Sequence, residues 1–189
     1  MKRIGILGGT FDPPHIGHLI IAQEVLDSLQ LEEVWFIPTY ESPHKNEASV
    51  PVGNRIEMLQ HALTNNELFQ LNTIEVDRAG KSYTYDTMIA LREQYPEADF
   101  HFIIGADMVE YLPKWYKIDE LINLVKFVGV KRSGYKLETN YPIIEVNIPL
   151  VDISSTLIRK RLQENKSIQY LVPESVHTFI KEHGFYAQK

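Results

Sequence analysis

Short apolar runs alternate with stretches of helical periodicity along almost the whole chain, and this alternation limits the fold more than any other feature. Strand-like runs are read at Lys2–Leu7, Glu33–Pro38, Leu71–Val76, Asp99–Ile104, Lys126–Val130 and Ile143–Ile148. Helical spacing of apolar residues follows over Ile16–Leu29, Val52–Leu63, Thr84–Tyr95, Asp107–Leu112, Ile118–Leu124, Ser155–Glu164 and Glu174–His183. Parallel neighbours need a crossover between them, so strands that alternate with helices predict an α/β fold: a doubly wound parallel sheet covered on both faces. No repeat, long linker or low-complexity block interrupts the pattern. A single domain over 1–189 is expected, with the C-terminal helices from about residue 154 packing on it.

Composition narrows the function. Of 189 residues, 44% are hydrophobic, enough for a substantial core. The absence of cysteine excludes a disulfide framework, a thiol nucleophile and a cysteine-based zinc site. No apolar run approaches the ~20 residues of a membrane helix, so a soluble, cytoplasmic protein without membrane partners is expected. The net charge of −6 argues against broad nucleic-acid binding. Cations nevertheless concentrate in the second half, at Lys114, Lys117, Lys126, Lys131, Arg132 and Lys136 and again at Arg159, Lys160 and Arg161. Solvated surface or a small, highly charged anion would each account for them.

In a doubly wound sheet the ligand lies beyond the carboxyl ends of the strands, where strand order reverses. Three segments fall at such ends. The first is Gly8-Gly9-Thr10-Phe11-Asp12-Pro13-Pro14-His15-Ile16-Gly17-His18. Glycines at a strand end let backbone N–H groups approach a phosphate closely. His15 and His18, three apart at a helix start, point in similar directions, and Gly17 leaves room for a ligand against the backbone. The positive end of the helix dipole adds to the site. Two histidines with Asp12 could instead hold a metal, but an aspartate before two prolines is more commonly a turn cap.

The second segment is Ile153-Ser154-Ser155-Thr156-Leu157-Ile158-Arg159. A hydroxyl before a helical pattern is ordinarily an N-cap. Three consecutive hydroxyls with Arg159 one turn on also make a phosphate clamp, with Leu157, Ile158 and Leu162 anchoring the helix in the core. In the third, Gly105-Ala106-Asp107 ends the central strand, where Asp107 could cap the next helix, and an exposed Trp115 in the following loop suits ring stacking.

GGTFDPPHIGH with a downstream ISSTLIR resembles the nucleotidyltransferase superfamily that carries an HxGH signature. The segments ESPHK, KSYTYDT, IIGADMVEYLPKWYK, VKRSGY and VDISSTLIR make the whole chain similar to the bacterial nicotinate-nucleotide adenylyltransferase family. The resemblance implies a Rossmann-like fold and transfer of AMP from ATP to nicotinate mononucleotide, giving deamido-NAD and pyrophosphate in NAD biosynthesis. The nucleophile, a phosphate oxygen, is already ionised. No activating base is needed, and positioning and electrostatics carry the rate.

On that basis His15 and His18 are the catalytic candidates, with His18 first for the α-phosphate. Gly8, Gly9, Thr10, Phe11, Gly17, Lys45, Gly105, Asp107, Ser155, Thr156 and Arg159 are expected at ATP, with Asp107 on a ribose hydroxyl. Tyr83, Thr84, Lys114, Trp115, Tyr116 and Arg132 are expected at nicotinate mononucleotide. There the ring carboxylate would meet backbone N–H groups at Thr84 or Tyr116 and the cations Lys114 and Arg132. Mg²⁺ is expected to travel with ATP, without protein metal ligands. A homodimer is implied by the resemblance alone. Two departures from the family pattern, Ser42 in the PPHK segment and Ser133 in RPG, bear on the stiffness of those turns.

Overall fold

In a computed structural model, six parallel strands pair in the order β3-β2-β1-β4-β5-β6. The structure describes residues 1–43, 48–132, 137–149 and 151–187, with the Arg132 side chain excepted. The strands are β1 (Arg3–Gly9), β2 (Glu33–Pro38), β3 (Phe69–Leu71), β4 (Asp99–Gly105), β5 (Lys126–Arg132) and β6 (Ile143–Ile148). The helices are α1 (Ile16–Ser28), α2 (Val52–Leu63), α3 (Ile74–Arg78), α4 (Thr84–Gln94), α5 (Ala106–Tyr111), α6 (Ile118–Leu121), α7 (Ser155–Gln163) and α8 (Glu174–His183), with a 3₁₀ turn at Leu112–Lys114. The doubly wound parallel sheet expected from the alternation is therefore present.

Side-chain alternation along the strands explains the two layers. Ile4, Ile6, Trp35, Ile37, Phe100 and Phe102 point to one face, under Met88 and Leu91 of α4. Leu7, Val34, Phe36, Ile103, Val128 and Val130 point to the other, under Val25 and Leu26 of α1 and Leu59 of α2. A third cluster joins α2, α7 and α8 through Met58, Ile158, Val176, Phe179 and Ile180. Strand order reverses between β1 and β4, whose residues Ile4 and Phe100 are in register. The crevice between their carboxyl ends is where such a sheet receives a ligand. No helix among the described residues is long and apolar enough to cross a membrane.

One expected element is corrected. Leu71–Val76 is not a strand: β3 ends at Leu71 and α3 begins at Ile74. Asn72 turns the chain, because its side-chain oxygen accepts from the Ile74 N–H at 3.0 Å. The Thr73 hydroxyl then donates to Asp77 at 2.9 Å across the new helical turn. Local polar side chains thus override an apolar run too short to identify a strand.

Close packing around β5 gives a test of the register. A Cβ added to Gly129 would lie 2.9 Å from Cγ2 of Ile143 and would crowd Leu137. At Gly53, on the exposed side of α2, it would meet nothing within 4 Å. Gly129→Ala is expected to destabilise by about 1–3 kcal/mol. Gly53→Ala should be neutral or stabilising by up to about 1 kcal/mol. Thermal unfolding of the two variants checks this opposition; equal effects would contradict the packing described.

Candidate active site

The chain between β1 and α1 leaves the sheet as a buried loop. Phe11 takes a left-handed backbone (φ 51°), its ring buried against Phe36 and edge-on to His18 at 4.9 Å. A loop this buried must still satisfy its carbonyl groups. Arg55 of α2, 2% exposed, donates to the Thr10 carbonyl at 2.8 Å. Arg159 of α7 donates to the Asp12 carbonyl at 2.7 Å, and the Ser155 hydroxyl to that of Pro13 at 2.8 Å. The N-termini of α1 and α7 meet at this loop, so two helix dipoles present their positive ends there.

His15 and His18 stack with ring centroids 3.6 Å apart. The His15 backbone N–H donates to Nδ1 of His18 at 3.1 Å. An accepting Nδ1 places the imidazole proton on Nε2, the nitrogen that can donate to an anion. His15 is 5% exposed, and burial pushes its pKa down to about 4, so it is uncharged at neutral pH. Its Nδ1 has no hydrogen-bond partner among the described residues. At Gly17 a Cβ would meet the His15 ring at 2.9 Å, so the glycine admits the histidine.

At the switch point, a cavity of about 210 Å³ is lined by Gly8, Gly9, Thr84, Gly105, Trp115 and Tyr116, among others. The first turn of α4 opens on it at Thr84, with Tyr83 as N-cap residue. Tyr83 and Tyr116 line it as an aromatic pair, and Tyr83 and Tyr85 pack on Tyr116 with ring centroids 4.9 and 5.9 Å away. Glu75, 5% exposed, also lines this cavity, and its carboxylate accepts from Thr87 at 2.7 Å. Burial pushes this carboxyl above its usual range, against the opposing hydrogen bonds of Thr87 and Ser82 and the charge of Arg78.

The structure brings Gly8, Gly9, Thr10, Gly105, Tyr83, Thr84, Trp115 and Tyr116 to one cavity, and His15, His18, Phe11, Gly17, Ser155 and Arg159 to the adjoining loop. Several of the expected residues have protein neighbours of their own. Trp115 is only partly exposed and packs edge-on against Phe102 and Phe127 at 5.9 and 5.8 Å. Lys114 is not in the cavity lining; its ammonium lies over the Tyr111 ring at 4.9 Å. Asp107 is exposed in the first turn of α5, where the N-cap residue is Gly105.

Ser154 caps α7, accepting from the Leu157 N–H at 3.1 Å, so of the three hydroxyls only Ser155 reaches the loop. The Thr156 hydroxyl accepts from Arg159 at 3.3 Å, and Leu157 is 37% exposed rather than an anchor. Lys45, Ser133 and the side chain of Arg132 lie outside the described residues, while Ser42 lines the cavity. Asp12 does not cap a local turn. Its carboxylate takes the Ser49 N–H and the Tyr186 hydroxyl, both at 2.6 Å, which leaves it poorly disposed for a metal shared with the histidines.

Arg55, Glu75 and Tyr186 are the site neighbours that sequence reasoning missed. Arg55 shares the inward face of α2 with Met58 and Leu59, and a cation at that spacing was a readable signal. Nothing in the local sequence around Glu75 or Tyr186 marks either one.

Comparison with known proteins adds the family. Residues 6–161 match the cytidylyltransferase-like family model. The chain is 55% identical to a probable nicotinate-nucleotide adenylyltransferase of Geobacillus thermodenitrificans, over 100% of this chain and 88% of that one. It is 50% identical to the nicotinate-nucleotide adenylyltransferase of Bacillus subtilis, over 98% and 99%. Among solved structures, the Plasmodium falciparum nicotinic acid mononucleotide adenylyltransferase complexed with NaAD superposes with a TM-score of 0.83. It is 21% identical, with 98% of each chain covered, a likeness of fold.

The buried, uncharged His15 predicts an acid sensitivity. The unfolded chain takes up a proton at this residue below about pH 6.5, whereas the folded chain resists it down to about pH 4. Stability is therefore fully present above pH 6.5 and lost as pH falls toward 4, by about 2–3 kcal/mol at pH 4.5. Urea unfolding at pH 7 and pH 4.5 should show His15→Asn losing less between the two than the parent. An unchanged pH slope would contradict the burial described.

Proposed function

The chain belongs to the nicotinate-nucleotide adenylyltransferase family, and on that premise we propose that it transfers AMP from ATP to nicotinate mononucleotide, releasing pyrophosphate and forming deamido-NAD in NAD biosynthesis. The observation that carries this reading is the position of the stacked histidine pair. It sits on a loop fastened by Arg159 and Ser155, next to a switch-point cavity lined by Gly8, Gly9 and Thr10 at the start of that loop.

The reaction is a displacement at phosphorus. A phosphate oxygen of nicotinate mononucleotide attacks the α-phosphorus of ATP, the bond from that phosphorus to the bridging oxygen breaks, and pyrophosphate leaves with the electron pair. His18 donates through Nε2 to the α-phosphate as charge builds on it. His15, uncharged and packed against it, orients that ring through its backbone N–H and adds a contact to the phosphates. Backbone groups at Gly8, Gly9, Thr10 and Phe11 receive the phosphates, and Gly17 lets the loop and His15 close together.

Ser155, Thr156, Arg159 and Lys45 hold the β- and γ-phosphates, with Gly105 and Asp107 toward the ribose. Tyr83, Thr84, Trp115 and Tyr116 hold the pyridine nucleotide, with Arg132 and Lys114 as more distant cations. The support for amides over cations at the ring carboxylate is that Lys114 rests on Tyr111 while Thr84 faces the cavity. Mg²⁺ arrives on the ATP phosphates. Among the described residues no group of three or more His, Asp or Glu side chains gathers to hold an ion by itself. A cytoplasmic location and a homodimer accompany this reading, and Tyr170, 83% exposed, is the aromatic a second copy would cover.

Pyrophosphate release from ATP and Mg²⁺ tests the reaction, with nicotinate or nicotinamide mononucleotide as acceptor. Release chiefly with the nicotinate form is expected; equal or reversed preference would overturn the acceptor, and no release would overturn the reaction. His18→Ala should keep its fold by circular dichroism and lower kcat by about 100-fold or more, the scale of a lost transition-state hydrogen bond. A variant of near-parental kcat would remove His18 from the mechanism.

A further inference from the structure

Close to the C-terminus the chain returns to the phosphate loop. Gly184 (φ 64°) ends α8 in a left-handed turn, and Phe185 packs against Phe179 with ring centroids 5.9 Å apart. Tyr186 follows, itself left-handed at φ 64°, a conformation a tyrosine adopts at a cost. Its hydroxyl donates to Oδ1 of Asp12 at 2.6 Å, joining positions 174 apart in sequence. Burial and the bond to Asp12 hold this phenol far above its ordinary range, so it remains a donor at any working pH.

We propose that Tyr186 is a positioning residue for the triphosphate end of the site, acting through Asp12 on Arg159; the proposal rests on the reading that Arg159 holds the β- and γ-phosphates. Asp12 is 4% exposed, and each carboxylate oxygen has its own neutral donor, Tyr186 on Oδ1 and the Ser49 N–H on Oδ2. A buried carboxylate satisfied in this way has no need to draw in a guanidinium. Nη1 of Arg159 accordingly stays 3.9 Å from Oδ2 and donates to the Asp12 carbonyl at 2.7 Å. Nη2 reaches the Thr156 hydroxyl at 3.3 Å, on the exposed side of α7.

Without the Tyr186 hydroxyl, Oδ1 is left as a buried anion with an unfilled acceptor. Arg55 is 2% exposed, whereas the Arg159 side chain is 27% exposed with Nη1 already 3.9 Å from Oδ2, so Arg159 is the cation with room to move. It would close onto the carboxylate and away from the triphosphate. The strained backbone at Tyr186 fits a residue kept in place for what its hydroxyl touches.

The test is Tyr186→Phe in the full-length chain, which keeps the ring and removes only the donor. ATP affinity by calorimetry and KM for ATP should both weaken about tenfold, corresponding to about 1.4 kcal/mol, while KM for nicotinate mononucleotide stays at the parental value. In an Arg159→Ala background the same substitution should add no further loss. Phe185→Leu is the packing control: it should lower the melting temperature without moving the ATP affinity.

Parental ATP affinity in Tyr186→Phe, an equal loss for both substrates, a full additional loss in the Arg159→Ala background, or a matching loss in Phe185→Leu would each overturn the proposal. Calorimetry reads ATP without turnover. A parent protein that binds ATP but transfers no AMP would therefore defeat the functional reading and leave this comparison able to decide.

Discussion

The active-site loop depends on a requirement of backbone chemistry: carbonyl groups removed from water must be met by donors. Residues 11–15 are buried without belonging to a helix or strand, so no ladder can supply those donors. For Asp12 and Pro13 they come from side chains far along the chain, Arg159 and Ser155, as Arg55 serves the adjoining Thr10, while the His15 carbonyl takes the His18 N–H. Each unmet group would cost on the order of 1–3 kcal/mol. The loop can therefore hold its shape only when α2 and α7 are in place. The third apolar cluster, built on Met58, Ile158 and Phe179, is what seats α2, α7 and α8 together.

That arrangement gives the same residues two duties. Ser155 and Arg159 stabilise the loop as the structure stands, and in the proposed reaction they also face the β- and γ-phosphates. The two demands are compatible because a guanidinium has five N–H groups in a planar fork and spends few of them on one carbonyl. They also make the site sensitive to competing anions from within the protein. Asp12 is such an anion, its Oδ2 3.9 Å from Nη1 of Arg159, and its two neutral donors lessen its pull on that guanidinium.

Much of this was legible in the sequence. The alternation of apolar runs and helical spacing identified the sheet. Glycine-rich strand ends and paired histidines identified the segments that meet at its switch point, because these are local patterns that follow from backbone geometry. What was not legible depends on particular side-chain contacts, local or distant, that apolar periodicity does not record. Asn72 ended a strand that apolarity alone would have continued. Trp115 packed on Phe102 and Phe127 while still lining the cavity, and Lys114 settled on Tyr111. Tyr186 had no local signal, because its partner is Asp12 at the other end of the chain.

The two ends of the proposed site use different physics. The triphosphate end gathers helix N-termini and guanidinium groups, which suits a multiply charged ligand whose exact geometry changes as a bond breaks. The pyridine end, as described, offers the cavity a helix N-terminus, aromatic rings and a buried carboxyl, with Lys114 turned away. Backbone N–H groups can only donate, so they accept a ring carboxylate and leave the NH₂ of a carboxamide facing like donors. A site of buried donors discriminates by the groups it leaves unpaired, which separates ligands more sharply than net charge does. Glu75 lines the same cavity. Burial pushes its carboxyl above the usual range, which lessens the negative charge facing an anionic ring substituent at the α4 N-terminus.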